Sequence, residues 1–234
     1  MKHTLIPTAA LIALCLAPVT AVASADEQTQ TETVDRTVPL APGGTLKLNN
    51  FSGTVNVTGV NRGNVSIHAV RRATRERLDG IHLVIEERGD TVVIEANRKD
   101  ASWDDRNNNN VVETDFEIEV PTRTNLDIHV FSSDVKVTGV EGKATLKTFS
   151  GGLTLNGYAG PIDAETFSGD VDVKFSPSAA LGHVDFDSFS GDLRSDLPLV
   201  LRTSRKRHVS ADVGSGGSDT LHVKTFSGDV RITK

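Results

Sequence analysis

The chain has 234 residues, 25 basic and 31 acidic, for a formal net charge of −6, and it carries a single cysteine, Cys15. An acidic balance works against duplex nucleic acid or anionic lipid as partner, and one cysteine cannot build a disulfide framework or a thiolate metal cluster. Stability must come from apolar burial and backbone pairing.

The first residues read as an export signal. Lys2 and His3 precede an apolar run over residues 5–22, interrupted by Pro18, and Ala23-Ser24-Ala25 supplies a small-x-small cleavage site. Removal of residues 1–25 would leave an exported protein, periplasmic or on the cell surface, with no transmembrane segment. Leu14 is too bulky to precede a lipidated Cys15. Residues 26–36 are polar, acidic and without apolar period, which predicts a disordered leader.

From Thr37 the pattern turns to strands, with apolar and polar residues alternating over residues 45–48, 54–57 and 64–70 between glycine and asparagine turns. Residues 71–78 lack an apolar stripe and read as loop. Residues 81–86 and 91–96, joined through Arg88-Gly89-Asp90, read as a hairpin, and residues 100–110, with four asparagines and Trp103, as an exposed loop. Phe116-Glu117-Ile118-Glu119-Val120 alternates cleanly up to Pro121. Residues 37–120 therefore form an irregular N-terminal β region.

A short motif then recurs. Phe131-Ser132-Ser133-Asp134, Phe149-Ser150-Gly151-Gly152, Phe167-Ser168-Gly169-Asp170, Phe189-Ser190-Gly191-Asp192 and Phe226-Ser227-Gly228-Asp229 follow an isolated first copy at Phe51-Ser52-Gly53. The phenylalanines are 18 residues apart from 131 to 149 and from 149 to 167, then 22 and 37 apart. A unit of 18 residues with two short strands and two turns cannot bury its own apolar face, whereas coils stacked ~4.8 Å apart share one core. The fold expected over residues 121–234 is an all-β, single-stranded β-solenoid, β-helix-like, with ~18-residue coils and an insertion at about 202–220; an antiparallel sandwich is the competitor for the irregular region.

The copies at Ser168-Gly169-Asp170-Val171, Ser190-Gly191-Asp192-Leu193 and Ser227-Gly228-Asp229-Val230, with weaker ones at Ser132-Ser133-Asp134 and Ser150-Gly151-Gly152, resemble the DUF4097 family of adhesin-like proteins. The resemblance implies an exported β-solenoid. It implies no catalytic residues, and a fold-level label says little about ligand.

Three features carry candidate chemistry. Counting alternation from both sides of Phe167 forces a one-residue phase shift within Phe-Ser-Gly-Asp. The column Phe51, Phe131, Phe149, Phe167, Phe189 and Phe226 is then either core or an exposed stripe, and the general burial of large aromatics favours core. The motif glycines are Gly53, Gly151, Gly169, Gly191 and Gly228, and Asp134, Asp170, Asp192 and Asp229 fall in register, with Gly152 breaking the column; accepting backbone N–H bonds at a tight turn fits better than calcium, whose solenoid repeats use a different glycine spacing. Arg202, Arg205, Lys206 and Arg207 form the one dense basic cluster, a candidate contact for an envelope polymer or protein. No hydrolase or phosphate-loop motif is present, and no cofactor is called for. The expected function is a non-enzymatic, adhesin-like module of the cell envelope; a carbohydrate-active β-helix enzyme with paired carboxylates and an envelope-stress sensing accessory are the alternatives.

Overall fold

A computed structural model describes residues 29–101, 110–214 and 216–234. The expected export segment, Cys15 and Trp103 lie outside the described residues. Seventeen strands and one short helix follow in order: β1 (Gln30–Pro39), β2 (Thr45–Val60), β3 (Asn64–Ala73), α1 (Arg75–Gly80), β4 (Ile81–Arg88), β5 (Thr91–Lys99), β6 (Glu113–Pro121), β7 (Asn125–Thr138), β8 (Ala144–Ser150), β9 (Leu153–Tyr158), β10 (Ile162–Ser168), β11 (Val171–Phe175), β12 (Leu181–Ser190), β13 (Leu193–Ser195), β14 (Leu199–Arg205), β15 (His208–Val213), β16 (Asp219–Ser227) and β17 (Val230–Thr233). The fold is all-β, one open hydrogen-bonded sheet.

The pairings fall into two ladders that meet at the repeated motif. In the first, the leading half of β2 and of β7 pairs in parallel with each other, then β8, β10, β16 and β12 follow. In the second, the trailing halves of β2 and β7 are followed by β9, β11, β17 and β13. Equivalent residues of the 18-residue period face each other: Leu126 pairs with Ala144 and Ala144 with Ile162, Val135 with Leu153 and Leu153 with Val171. The inward side chains of both ladders join one buried cluster. A single rung has too few apolar groups to hold itself, so each depends on the rungs above and below.

Antiparallel strands finish the ends. β4 covers β5, β3 and β1 extend from β6, and the β14–β15 hairpin extends from β12. The alternation inverts at each corner: Ile162, Ala164 and Thr166 point inward before it, Val171 and Val173 after it.

Several expectations need correction. The first copy at Phe51 is not separate from the array, because residues 45–58 of β2 pair with β7 along their whole length; of the intervening strands, β5 and β6 pair in parallel with the other side of β2 as a further rung, and only β3 and β4 run antiparallel beside them. Residues 30–36 are not disordered but belong to β1, in register with β3. β1 is an edge strand with almost no buried face, so its backbone bonds specify it and no apolar period marks it. The helix α1 stands where loop was expected. Part of the insertion at about 202–220 is paired strand: the end of β14 and β15 form an antiparallel hairpin carried on β12, and residues 219–220 already belong to β16. The C-terminal strands β16 and β17 do not end the array. They slip between the β10/β11 rung and the β12/β13 rung, so rung order departs from chain order.

Candidate functional site: an exposed phenylalanine ladder

The corner motif builds the site. Each motif glycine lies against the carbonyl of the neighbouring rung: a Cβ on Gly169 would sit 2.1 Å from the Gly151 oxygen, and one on Gly228 2.2 Å from that of Gly169. Side chains are excluded there because the backbones are held at hydrogen-bonding distance. Three of the four motif aspartates accept an amide of a neighbouring rung. Asp134 takes the Gly152 N–H at 2.8 Å, Asp170 that of Asp229 at 2.8 Å, and Asp229 that of Asp192 at 3.0 Å. These carboxylates thus complete backbone pairing where the chain bends. Among the described residues no three His, Cys, Asp or Glu side chains gather to hold a metal ion.

The bend throws the phenylalanines outward. All six are exposed, from 41% at Phe51 to 52% at Phe189, which corrects the reading that favoured core. Each follows the outward phase of the first ladder and buries its faces against the rings on neighbouring rungs. Centroids are 4.7 Å apart from Phe51 to Phe131 and 4.8 Å from Phe131 to Phe149, Phe149 to Phe167, Phe167 to Phe226 and Phe226 to Phe189. The last four steps are parallel within 4°. Because the ring faces meet one another, the ladder shows its C–H edges to solvent, a hydrocarbon ridge about 24 Å long.

Beside the ridge runs a groove of about 750 Å³, with Phe149, Phe167, Phe226 and Phe189 on one wall and His129, Lys147, Glu165, Lys224 and Asp187 on the other. A further stretch of about 380 Å³ continues it past Asn49 and Glu95. The polar wall occupies the position two residues before each phenylalanine, on the same face by strand alternation; that spacing was readable, and the sequence reasoning missed it. The wall alternates in sign, and Lys147 reaches Glu165 at 3.2 Å. Beneath it Thr148, Thr166, Thr225 and Ser188 are buried with hydroxyls that make no hydrogen bond.

The basic cluster divides. Lys206 and Arg207 form the turn of the β14–β15 hairpin, and the Arg207 guanidinium lies 4.0 Å from the Phe189 ring centre, closing that end of the ladder by a cation–π contact. Arg205 ends β14 opposite His208. Arg202 does not line the groove and binds Asp212, whose carboxyl is held below the usual range by that bond and by the one from His183. His183 Nδ1 lies 2.9 Å from Asp212, and its Nε2 lies 3.2 Å from both Ser210 Oγ and Asp185. A serine, a histidine and an aspartate in line suggest a hydrolase relay. Here, however, a second carboxylate competes for the nitrogen that would take the serine proton, so the arrangement suits an imidazole held between two aspartates.

The Toastrack DUF4097 family profile matches residues 44–233. This chain belongs to the Toastrack family. No curated protein sequence matches this Toastrack chain. Among solved structures, a candidate cell adhesion protein of Clostridium sporogenes is similar at 12% identity and a TM-score of 0.54, covering 86% of this chain and 99% of that one. A candidate adhesin of Bacteroides fragilis, also at 12% identity, aligns over 86% and 97% of the two chains with a TM-score of 0.31. The first likeness is one of fold. Among the described residues of the Toastrack chain, no helix is long and apolar enough to cross a membrane.

Proposed function

We propose that this Toastrack chain is an exported, non-enzymatic, adhesin-like interaction module of the cell envelope, a β-solenoid whose working surface is the phenylalanine ladder and the groove beside it. The ladder carries the reading. Six half-exposed rings in one row make an apolar stripe far longer than scattered surface residues produce, and stripes of that kind mark contact surfaces. The groove is open along its length, which suits an extended partner more than a small substrate. Arg205, Lys206 and Arg207 at the β12 end add a basic terminus, and export rests on the segment before Asp26.

The test is sedimentation of the chain lacking residues 1–25 with isolated cell envelopes. Phe149→Ser with Phe167→Ser should weaken binding at least tenfold, about 1.4 kcal/mol, with circular dichroism confirming the fold. Arg205, Lys206 and Arg207 changed together to Ser should weaken it less. Unchanged binding by the phenylalanine variant would overturn the assignment of the surface.

A further inference from the structure

The ladder has a symmetry that suggests a particular occupant. Rings about half exposed, of residues that present some 150–250 Å² each, offer on the order of 600 Å² of apolar surface in all. That is the upper end of what monomers carry as a single patch. With its flanks it approaches the ~800 Å² per partner of a stable interface. The ring faces are occupied by one another, so stacking of a planar ligand onto them is closed along the ridge. A partner that matches the ridge along its length must repeat at the same rung spacing, and another molecule of this chain does.

The polar wall supplies the orientation. In rung order it runs Glu95, Asn49, His129, Lys147, Glu165, Lys224, Asp187, ending beside Arg207 and His208. Its midpoint falls between Lys147 and Glu165, where the six-ring ladder also has its midpoint, between Phe149 and Phe167. We propose, resting on the reading of the ladder as the working surface, that this face binds a second copy of the chain, the two ladders antiparallel about a two-fold axis between the Phe149 and Phe167 rungs.

A two-fold axis lying in the interface, across the ladders, keeps each polar wall over its counterpart and reverses its order. Lys147 then meets Glu165 of the second copy and Glu165 its Lys147. The Arg207–His208 end meets Glu95, and Asp187 meets Asn49. Lys224 opposite His129 and Asp187 opposite the neutral Asn49 are the levels without an opposite charge. An axis along the ladder would instead set the charged wall over the column of exposed serines and leave the charges without opposites. Opposite signs at the centre fix register, as isologous interfaces require.

The test uses the chain lacking residues 1–25, whose removal also removes Cys15, so that engineered cysteines stand alone. Sedimentation equilibrium at tens of micromolar should give the mass of two chains, and Phe149→Ser with Phe167→Ser the mass of one. Lys147→Glu, which sets a carboxylate against Glu165 of the second copy at both symmetry-related levels, should raise the dimer dissociation constant at least tenfold, and Lys147→Glu with Glu165→Lys should restore it. Ser132→Cys mixed with Ser227→Cys should form disulfide-linked heterodimers under mild oxidation, because the rungs of Phe131 and Phe226 exchange across the axis. Cross-linking of Ser132→Cys chains with His129→Cys chains would show parallel ladders and overturn the proposal. So would the mass of one chain for the unaltered protein; in that case continued, ladder-dependent envelope binding would leave the proposed function standing while self-association fell.

Discussion

Two glycines on neighbouring rungs of the corner, Gly169 and Gly152, should respond in opposite ways to the same methyl group. At Gly169 a Cβ would lie 2.1 Å from the Gly151 oxygen and 2.7 Å from its carbonyl carbon. Relief requires the rungs to part by about 1 Å against a backbone hydrogen-bond spacing of ~4.8 Å. That movement strains or breaks the hydrogen bond from the Gly151 N–H to the Ser168 carbonyl, 3.2 Å long, at about 1 kcal/mol. It also disturbs the Phe149–Phe167 stack, worth about 0.5–1.5 kcal/mol, and adds overpacking strain of about 1–3 kcal/mol. Gly169→Ala is therefore expected to cost about 3–5 kcal/mol. At Gly152 the nearest atoms to a Cβ are the Asp134 carboxylate and the Asp170 carbonyl, both at 3.7 Å, and its φ lies outside the left-handed region. Gly152→Ala should be neutral or stabilise by up to about 1 kcal/mol through the unfolded chain. Urea unfolding followed by circular dichroism reads both as midpoint shifts at constant slope. If Gly169→Ala costs less than about 1 kcal/mol, or if both variants fall together, close backbone approach is not what the motif glycine provides.

Other outcomes follow from single contacts. Thr166→Val removes a buried hydroxyl that bonds to nothing, in a column where Val130 already fits; urea midpoints should show a gain of about 1 kcal/mol. The buried Arg71 guanidinium is held by Glu32 of β1 and the Ile81 carbonyl, so Glu32→Ala should cost about 1–2 kcal/mol and raise amide exchange along β1 before other strands. Burial pushes the Asp115 carboxyl up, but the bonds from Arg72 and Thr54 outweigh it and hold the group below the ordinary value. A depressed carboxyl contributes stability above the unfolded pKa of about 3.9 and loses it as pH falls through the folded value. Arg72→Gln should therefore show a shallower loss of stability than the unaltered chain as pH falls below about 4, read by acid titration of the thermal midpoint.

The parallel, in-register rungs were legible because Phe-Ser-Gly-Asp fixes both the period and the place of the bend. The phase shift at the corner was legible too, yet its direction was not. Alternation counted from Ile162 puts Phe167 outside and alternation counted from Val173 puts it inside, and only the position of the bend, after the phenylalanine, decides between them. General burial preference then misled, because these rings bury their faces against one another in place of a core. Strand order was hidden for a different reason. A rung inserted between two others satisfies the same local pattern as a rung added at the end, and the 37-residue spacing from Phe189 to Phe226 carries no sign of which was chosen.

That inserted rung bears on the site. Were β16 and β17 to stack outside β12 and β13 in chain order, Phe189 would follow Phe167 directly, Phe226 would end the ladder, and the polar wall would read Lys147, Glu165, Asp187, Lys224. Two carboxylates would then stand adjacent, repelling at ~4.8 Å. With the rung inserted, Lys224 separates Glu165 from Asp187, and the signs alternate from Lys147 onward. Insertion also leaves β12 at the end of the stack, free to pair antiparallel with β15 and to bring Arg207 over the terminal ring. The same topological choice therefore neutralises the wall, caps the ladder with a cation, and leaves the uncharged ridge of ring edges as the part of this face that still lacks a contact.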